Sequence, residues 1–394
     1  MKNFFADLHI HVGMSEQGQW VKIPTSRRLT IHNILAEAAE RKGLALIGVI
    51  DALSPLVLND LSDLVNRGLL TLCSGGGYRY LDKITLLLGA EIETVEARGG
   101  QSHTLIFLPD IAEMTRFSQR MANHIRNINL SSQNAHIPLG RLIEIAGEHD
   151  AVIIPAHVFT PHKSLFGVCC HRLDSILTDR QIARIGAIEL GLSADSVMAD
   201  RIPELAQFSF LSNSDAHSLD KIAREYNVLM MAAPSFTEFA KVCRRQEGRR
   251  VAANYGLDPR LGKYHRSCCP SCGTAVAATV LPGQCSVCGG NQLIQGVFDR
   301  IEQIASYRLP QHPGHRSPYI YQIPLEFIPG IGKRAMAKLL ADFGTEMNVL
   351  NKAGYAELVS SVGERLAGCI AETRSGQARI VNGGGGVYGR VKRH

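Results

Sequence analysis

A chain of 394 residues, 45% hydrophobic and 20% charged, has the make-up of a globular protein with material for two or three domains. Its longest apolar runs, such as LALIGVI and AVIIPA, are too short for a bilayer span and no signal peptide precedes Asp7, so a cytoplasmic, nucleoid-associated protein with no membrane role is expected. Residues 1–250 carry 26 Lys/Arg against 27 Asp/Glu while 251–394 carry 16 against 9, so any polyanion would be gripped by the C-terminal part.

The chain opens on FFADLHIH, a strand pattern in which Asp7, His9 and His11 alternate with Leu8 and Ile10 and so project to one face. The runs LALIGVID, ITLLLGAEIE, HTLIFLP, AVIIPAH, IGAIEL and FSFLSNSDAH follow, most of them separated by helical patterns. Strands apolar on both faces predict a mostly parallel sheet or barrel, with its chemistry at the C-terminal strand ends. That is where Asp51, Glu91, His157, Asp215 and His217 fall. His103 opens its strand instead, but the preceding loop EIETVEARGGQS predicts a hairpin that returns it to the end where Glu91 left.

Five histidines and three carboxylates thus converge. Buried charges gathered this way are costly unless cations join them, and the mixed donors suit two or three divalent ions, Zn2+, Mn2+ or Fe2+, with Mg2+ also open. Asp7 is expected behind the ligands, orienting a histidine, and Glu93 at the surface or behind the ligands.

Beyond residue 250 the order changes. Residues 1–250 are expected to form the catalytic domain and 251–307 a metal-binding module in which Cys269, Cys272, Cys285 and Cys288 have the paired spacing of one structural zinc site. Cys268 is a candidate competing ligand, whereas Cys73, Cys169, Cys170, Cys243 and Cys369 are expected as small buried apolar residues. A Pro-rich linker is expected over 308–324, a helical region over 325–376 and a flexible Gly-rich basic tail over 377–394. In IPGIGKRAMAKLLADFG, Gly330 and Gly332 allow a tight turn that bares amides where a helix begins, with Lys333, Arg334 and Lys338 close behind; a phosphate cradle is expected, the alternative being a glycine-rich turn between packed helices.

His9-x-His11, Asp51, Glu91, His103, His157 and Ser214-Asp215-Ala216-His217 together resemble the motifs of the polymerase and histidinol phosphatase (PHP) superfamily over about residues 1–230. The resemblance implies a distorted (β/α)7 barrel holding up to three metals that hydrolyse phosphate esters. Many members carry His after the second-motif Asp; here Ala52 follows Asp51, which leaves one metal a ligand short or completed by water or a substrate oxygen. PHP region, zinc-ribbon-like four-cysteine module, linker and helix-hairpin-helix, with AHVFTPHKSLFG, ELGLSAD and SNSDAHS, resemble the endonuclease Q family across nearly the whole chain.

That resemblance implies a DNA repair endonuclease cutting 5′ to uracil, hypoxanthine, xanthine or an abasic site, leaving a 3′-OH and a 5′-phosphate. The catalytic residues it points to are Asp215, His217 and Asp195. Phe159 and Phe166 offer faces for a flipped base or pack in the core, and Ser193 with Asp195 contacts the lesion nucleotide or caps the helix SADSVMADRI. DNA is the expected partner, with a sliding clamp left open. A PHP phosphoesterase or 3′-5′ exonuclease without lesion specificity, and a DNA-binding scaffold with structural metals, remain as alternatives.

Overall fold

The computed structural model describes residues 1–276, 283–376, 380–381, 383 and 387–391. In chain order the strands are β1 (Lys2–Ile10), β2 (Leu46–Val49), β3 (Leu70–Leu72), β4 (Tyr78–Tyr80), β5 (Ile84–Val95), β6 (Gln101–Leu108) and β7 (Val152–Pro155). A short pair follows, β8 (Ala187–Glu189) and β9 (Ser209–Leu211), and then β10 (Tyr226–Met231), β11 (Arg250–Gly256) and β12 (Tyr319–Tyr321). Ten of these make one sheet in the order β12-β11-β10-β1-β2-β5-β4-β3, with β6 pairing β5 and β7. The β8–β9 pair stands beside it, tied by the bridges Ile153↔Ile185 and Ile10↔Ala216 to the β7 edge and to β1.

The sheet is mixed. Among the described strands the parallel ladders are β1–β2, β2–β5, β8–β9 and β11–β12, whereas the sequence pattern predicted a mostly parallel arrangement. On one side of the sheet the physical reason is the β5–β6 hairpin: Gly99, at φ +91°, lets the chain reverse, so β6 and then β7 run antiparallel to their neighbours; on the other, β10 pairs antiparallel with both β1 and β11.

Strands apolar on both sides separate two cores. Ile47, Leu86 and Leu88 face one that includes Ile34 and Leu61. Leu46, Leu87 and Phe107 face the other, which takes Phe236, Phe239 and Val242 from the helix Phe236–Arg244. Burial of this kind contributes roughly 1.5–3 kcal/mol per large side chain. The register Ile47↔Leu86 holds the two sets in phase across β2 and β5.

Two expectations for the C-terminal part change. Residues 319–321, placed in the linker by composition, form β12 and extend the sheet beside β11. Within the expected flexible tail, Ile380–Val381 (β13) pairs with Arg390–Val391 (β14); residues 377–379, 382, 384–386 and 392–394 of that segment lie outside the described residues. The helices Lys333–Phe343, Glu346–Asn351, Tyr355–Val362 and Glu364–Arg374 follow β12. Buried Glu346 anchors them to the first region through Lys42 at 3.1 Å and Arg41 at 3.1 Å. Among the described residues no helix is long and apolar enough to cross a membrane.

Candidate metal centre

β1 changes register against β2 between Asp7 and Ile10, an interval that includes His9; His9 and His11 are both buried. Asp215 meets them from the segment after β9, its Oδ1 3.4 Å from His9 Nε2 and 3.3 Å from His11 Nε2. Glu91 of β5 lies 2.8 Å from His103 Nδ1 and 3.4 Å from His157 Nε2, and its Oε1 is also 3.5 Å from His9 Nε2. The hairpin delivers His103 as expected, two positions inside β6. His9, His11 and Asp215 therefore form one group able to hold a metal and Glu91, His103 and His157 a second, the candidate donor atoms of each within 4.8 Å of one another.

The donors fit cations. His9 Nε2 and His103 Nδ1 are buried with carboxylate oxygens close by, Asp215 at 3.4 Å and Glu91 at 2.8 Å, yet among the described residues neither makes a contact with hydrogen-bond geometry, which is costly for a buried imidazole nitrogen. Burial alone would raise the Glu91 and Asp215 carboxyls, but His103 and Lys22 hold the first, and His9, His11 and His217 the second, well below the ordinary range. Burial opposes a charge on His9, yet Glu189 and Asp215 outweigh it and drive its pKa well above the usual value. The cluster demands positive charge at its centre.

Three of the histidines have a further carboxylate that fixes the ring. Glu189, at the end of β8, takes His9 Nδ1 at 2.9 Å and is itself bound by Asn213 Nδ2 at 3.0 Å. Asp51 faces His11 Nδ1 at 3.1 Å and accepts from Val12 N–H at 2.6 Å and from the Ser131 hydroxyl. Expected as a direct ligand, Asp51 instead lies behind His11, because parallel β2 ends at Val49 beside Ile10 and the next residues bring Asp51 to the Nδ1 side of the His11 ring. Glu93 stands 3.4 Å from His103 Nε2 and is paired with Lys163 at 2.7 Å. Asp7, expected to orient a histidine ring, binds backbone instead: it accepts from the N–H of Ser214 at 3.1 Å and Ala223 at 2.8 Å, pinning the loop that carries Asp215.

That loop is strained. Asp215 has φ +46° and His157 φ +31°, left-handed values that a non-glycine residue adopts only when its surroundings hold it there. Arg224 holds the first, donating to the carbonyls of Ser214 at 2.7 Å and Asp215 at 3.2 Å. Gly191 serves the second: a Cβ there would lie 2.8 Å from His157 Cβ. His217 donates from Nδ1 to the Asp215 carbonyl at 3.0 Å, which leaves Nε2 as the acceptor; burial and His11 lower its pKa to about 4.

A cavity of about 560 Å³ opens over His157, Glu189, Asp215 and His217, with Ser193 in its wall. Two expected lesion contacts are absent from it. Phe159 and Phe166 stack on each other at 5.6 Å, wholly inside the core, because the loop after His157 folds inward with Phe166 N–H bonded to the Val158 carbonyl. Asp195, expected among the catalytic residues, caps the helix Ser196–Ala199 through Met198 N–H at 2.8 Å and receives the Tyr321 hydroxyl at 2.7 Å. Both its oxygens are committed, so the structure gives it the capping role.

Cys269, Cys272, Cys285 and Cys288 form a third group able to hold a metal, with Cys269–Cys288 sulfurs 3.5 Å apart and Cys272–Cys285 sulfurs 3.6 Å apart. Cys268 lies outside it, its backbone paired with Ile294. Gly330 adopts φ +96° in the turn before the helix Lys333–Phe343, and Gly332 caps that helix with no side chain on its first amides. Lys333 and Arg334 are exposed in its first turn, while Lys338 is paired with Asp342 at 3.0 Å. Pro329 to Gly332 line a second cavity of about 960 Å³, which shares Lys221, Arg224 and Tyr388 with the first.

A mixed α/β scaffold whose strand ends gather imidazoles and carboxylates under one cavity is the framework of a metal-assisted hydrolase. No protein-family model matches the chain. The uncharacterised protein YqxK of Bacillus subtilis is 42% identical over 394 residues, all of both chains. The uncharacterised protein MJ0043 of Methanocaldococcus jannaschii is 38% identical over 250 residues, 59% of this chain and 31% of that protein. Two solved structures are similar along almost the full length. The lesion-specific endonuclease PfuEndoQ from Pyrococcus furiosus has TM-score 0.85 at 33% identity, covering 99% of this chain and 95% of that one. An endonuclease Q complex with a 27-mer duplex carrying an abasic lesion at the active site has TM-score 0.85 at 32% identity, covering 100% and 97%. The chain belongs to the endonuclease Q family and is an enzyme, a nuclease.

Proposed function

We propose that this chain is a metal-dependent DNA repair endonuclease that hydrolyses the phosphodiester 5′ to an abasic site or to uracil, hypoxanthine or xanthine, leaving a 3′-OH and a 5′-phosphate. The observation that carries the reading is its full-length likeness to an endonuclease Q bound to a duplex with an abasic lesion at the active site. The two candidate metal groups beside the cavity add support from the chain itself.

In this reading β1, β2 and β5 to β9 are the seven strands of a distorted PHP barrel, the bridge Ile10↔Ala216 closing it. His9, His11 and Asp215 would hold one divalent ion, Glu91, His103 and His157 another, and the four cysteines of the ribbon a structural Zn2+. Bound there, divalent ions supply an acidified water and shield the negative oxygens of the phosphodiester. The chain's own residues prepare that chemistry. Glu189 and Asp51 fix the rings of His9 and His11, Asp7 and Arg224 hold the Asp215 loop, and neutral His217 offers Nε2 at the rim. Ser193, in the cavity wall, contacts the lesion nucleotide. The turn Gly330–Gly332 with Lys333, Arg334 and Lys338 acts as a helix-hairpin-helix grip on the DNA backbone.

The test is a cleavage assay on labelled duplexes, each with one uracil, hypoxanthine or abasic site beside an undamaged control. One nick directly 5′ of the lesion is expected. Terminal nucleotide release, or equal cutting of undamaged DNA, would remove lesion recognition from the reading.

A further inference from the structure

The C-terminal segment is composed like a loose tail, yet two of its described residues, Gly383 and Gly389, dock against the wall of the candidate active site. Gly383 N–H bonds the Arg260 carbonyl at 2.6 Å and Gly389 N–H the Leu261 carbonyl at 2.9 Å, while β13 and β14 close the ribbon on itself. Glycine is required at both contacts. A Cβ on Gly383 would sit 2.6 Å from the Gly262 carbonyl oxygen, and one on Gly389 2.4 Å from that of Val381 and 2.9 Å from Leu261 Cα. The composition that suggests disorder is what lets two backbones meet.

Docking sets Tyr388 in the wall common to the two cavities, between the metal groups and the Gly330–Gly332 turn. It is 42% exposed, unusual for a large aromatic ring carried by a segment that contributes little to the core. Arg224 Nη1 donates to its hydroxyl at 3.4 Å, and the other nitrogens of the same guanidinium hold the carbonyls behind Asp215. Lys263 places its ammonium 5.8 Å from the Tyr388 ring and 4.8 Å from that of Tyr264. An open aromatic face flanked by two cations, at the mouth of an anionic metal pocket, matches a nucleobase with its phosphate.

We propose that Tyr388 is a specificity-determining residue of the cleavage cavity, stacking on a base that neighbours the cut while Lys263 and Arg224 meet the adjoining phosphate. The assignment rests on the endonuclease reading above and goes beyond it by making the C-terminal ribbon part of the substrate site. It turns an expected tail into a wall.

The experiment uses the full-length, metal-loaded protein and a labelled duplex with a single abasic site. Tyr388→Ala should raise KM about tenfold with kcat within about twofold of wild type, since a stack held equally in the bound and reacting states contributes to binding and not to the chemical step. Tyr388→Phe keeps the ring and should stay close to wild type in both constants, which also shows that the ribbon remains docked. In Tyr388→Trp, a short single-stranded oligonucleotide should quench the new indole, with wild type, whose one tryptophan is Trp20, as the blank. An unchanged KM in Tyr388→Ala, or equal damage in Tyr388→Phe, overturns the stacking role, the latter because the hydroxyl's bond to Arg224 would then be the working part. Should wild type nick no lesion, the endonuclease reading falls by itself, and the presence or absence of quenching still decides the stack.

Discussion

The imidazole and carboxylate cavity and the four-cysteine module both present groups able to hold metals, but they are organised in opposite ways. In the cavity the donors come from β1, β5, β6 and the segments after β7 and β9, far apart in sequence, and His9, His11 and His103 each face a carboxylate behind the ring. The sheet places them. In the module the four thiols lie close together in sequence, on two matching turns in which Gly273 N–H bonds the Cys269 carbonyl and Gly289 N–H the Cys285 carbonyl, both at 2.8 Å. Cys269 and Cys285 are buried but, among the described residues, belong to neither hydrophobic core, and Cys272 and Cys288 are exposed. A site built by the fold should keep its shape when emptied, whereas a site built around its ion should lose it.

The largest effect expected is on chemistry without folding. Asp215→Asn removes the carboxylate that faces both β1 histidines and should lower the single-turnover nicking rate by roughly 10³-fold or more. The thermal midpoint should move by no more than a few degrees. A mutant within about tenfold of wild type would place the cleavage site elsewhere. Cys272→Ser tests the other half of the comparison. It should abolish binding of the zinc proposed for that module and open the described residues 266–276 and 283–296 to protease, while the melting of the sheet is nearly unchanged. Joint collapse of both regions would mean that the module is structural support for the cavity rather than a separate metal-built unit.

Next comes a position that touches neither DNA nor a candidate ion. Glu189→Gln weakens the hold on His9 Nδ1 and on Asn213, and the divalent-metal affinity measured by titration should fall about 10–100-fold with the fold intact. Glu189 also shows where reading the chain stopped short. It ends the apolar run of β8 as Glu91 ends an apolar stretch inside β5, so the signal was present; what the run IGAIEL did not contain was the neighbour. Strand ends tell the level at which a side chain emerges. They do not tell which partner stands beside it, and so Asp51 was expected as a ligand and lies behind His11 instead.

The His-x-His pair, the return of His103 by a hairpin, and the cysteine pairs were legible because each depends on local geometry: a period of two, a reversal, a short spacing. Phe159 and Phe166 were not, since whether an aromatic beside a ligand turns inward is decided by the space that distant strands leave. The ribbon was hidden for a related reason. Glycine-rich composition reads as low local order, and only the backbone of residues 260–262 reveals that Gly383 and Gly389 are there for contact.

Stability should carry a mark of the fold-built region as well. Burial pushes the Glu225 carboxyl up to about 8, with Oε1 bound by Leu257 N–H at 2.8 Å and Oε2 buried without a partner among the described residues. Between about pH 4.5 and 8 the folded chain retains a proton that the unfolded chain has released. Stability therefore falls as pH rises through that window, by up to about 1.4 kcal/mol per pH unit. Glu225→Gln should flatten the slope in denaturant titrations at about pH 5 and pH 8. An identical slope in the mutant would show that Glu225 is ionised in the fold and that its charge is met by a group outside those named.

The smallest effect belongs to the exposed turn that neither packing nor a metal organises. Lys333 sits in the first turn of its helix beside amides that no side chain caps, so its share in gripping a phosphate is a single screened charge. Lys333→Ala should weaken duplex binding only several-fold near 0.1 M salt, equally for damaged and undamaged DNA, and reduce the slope of log affinity against log salt by about 1. A loss confined to lesion-bearing duplex would make this turn part of recognition rather than grip. The contrast would then run between a metal cavity and a reading head, and the 960 Å³ cavity between them, sharing Arg224 and Tyr388 with the first, would be the path that joins the two.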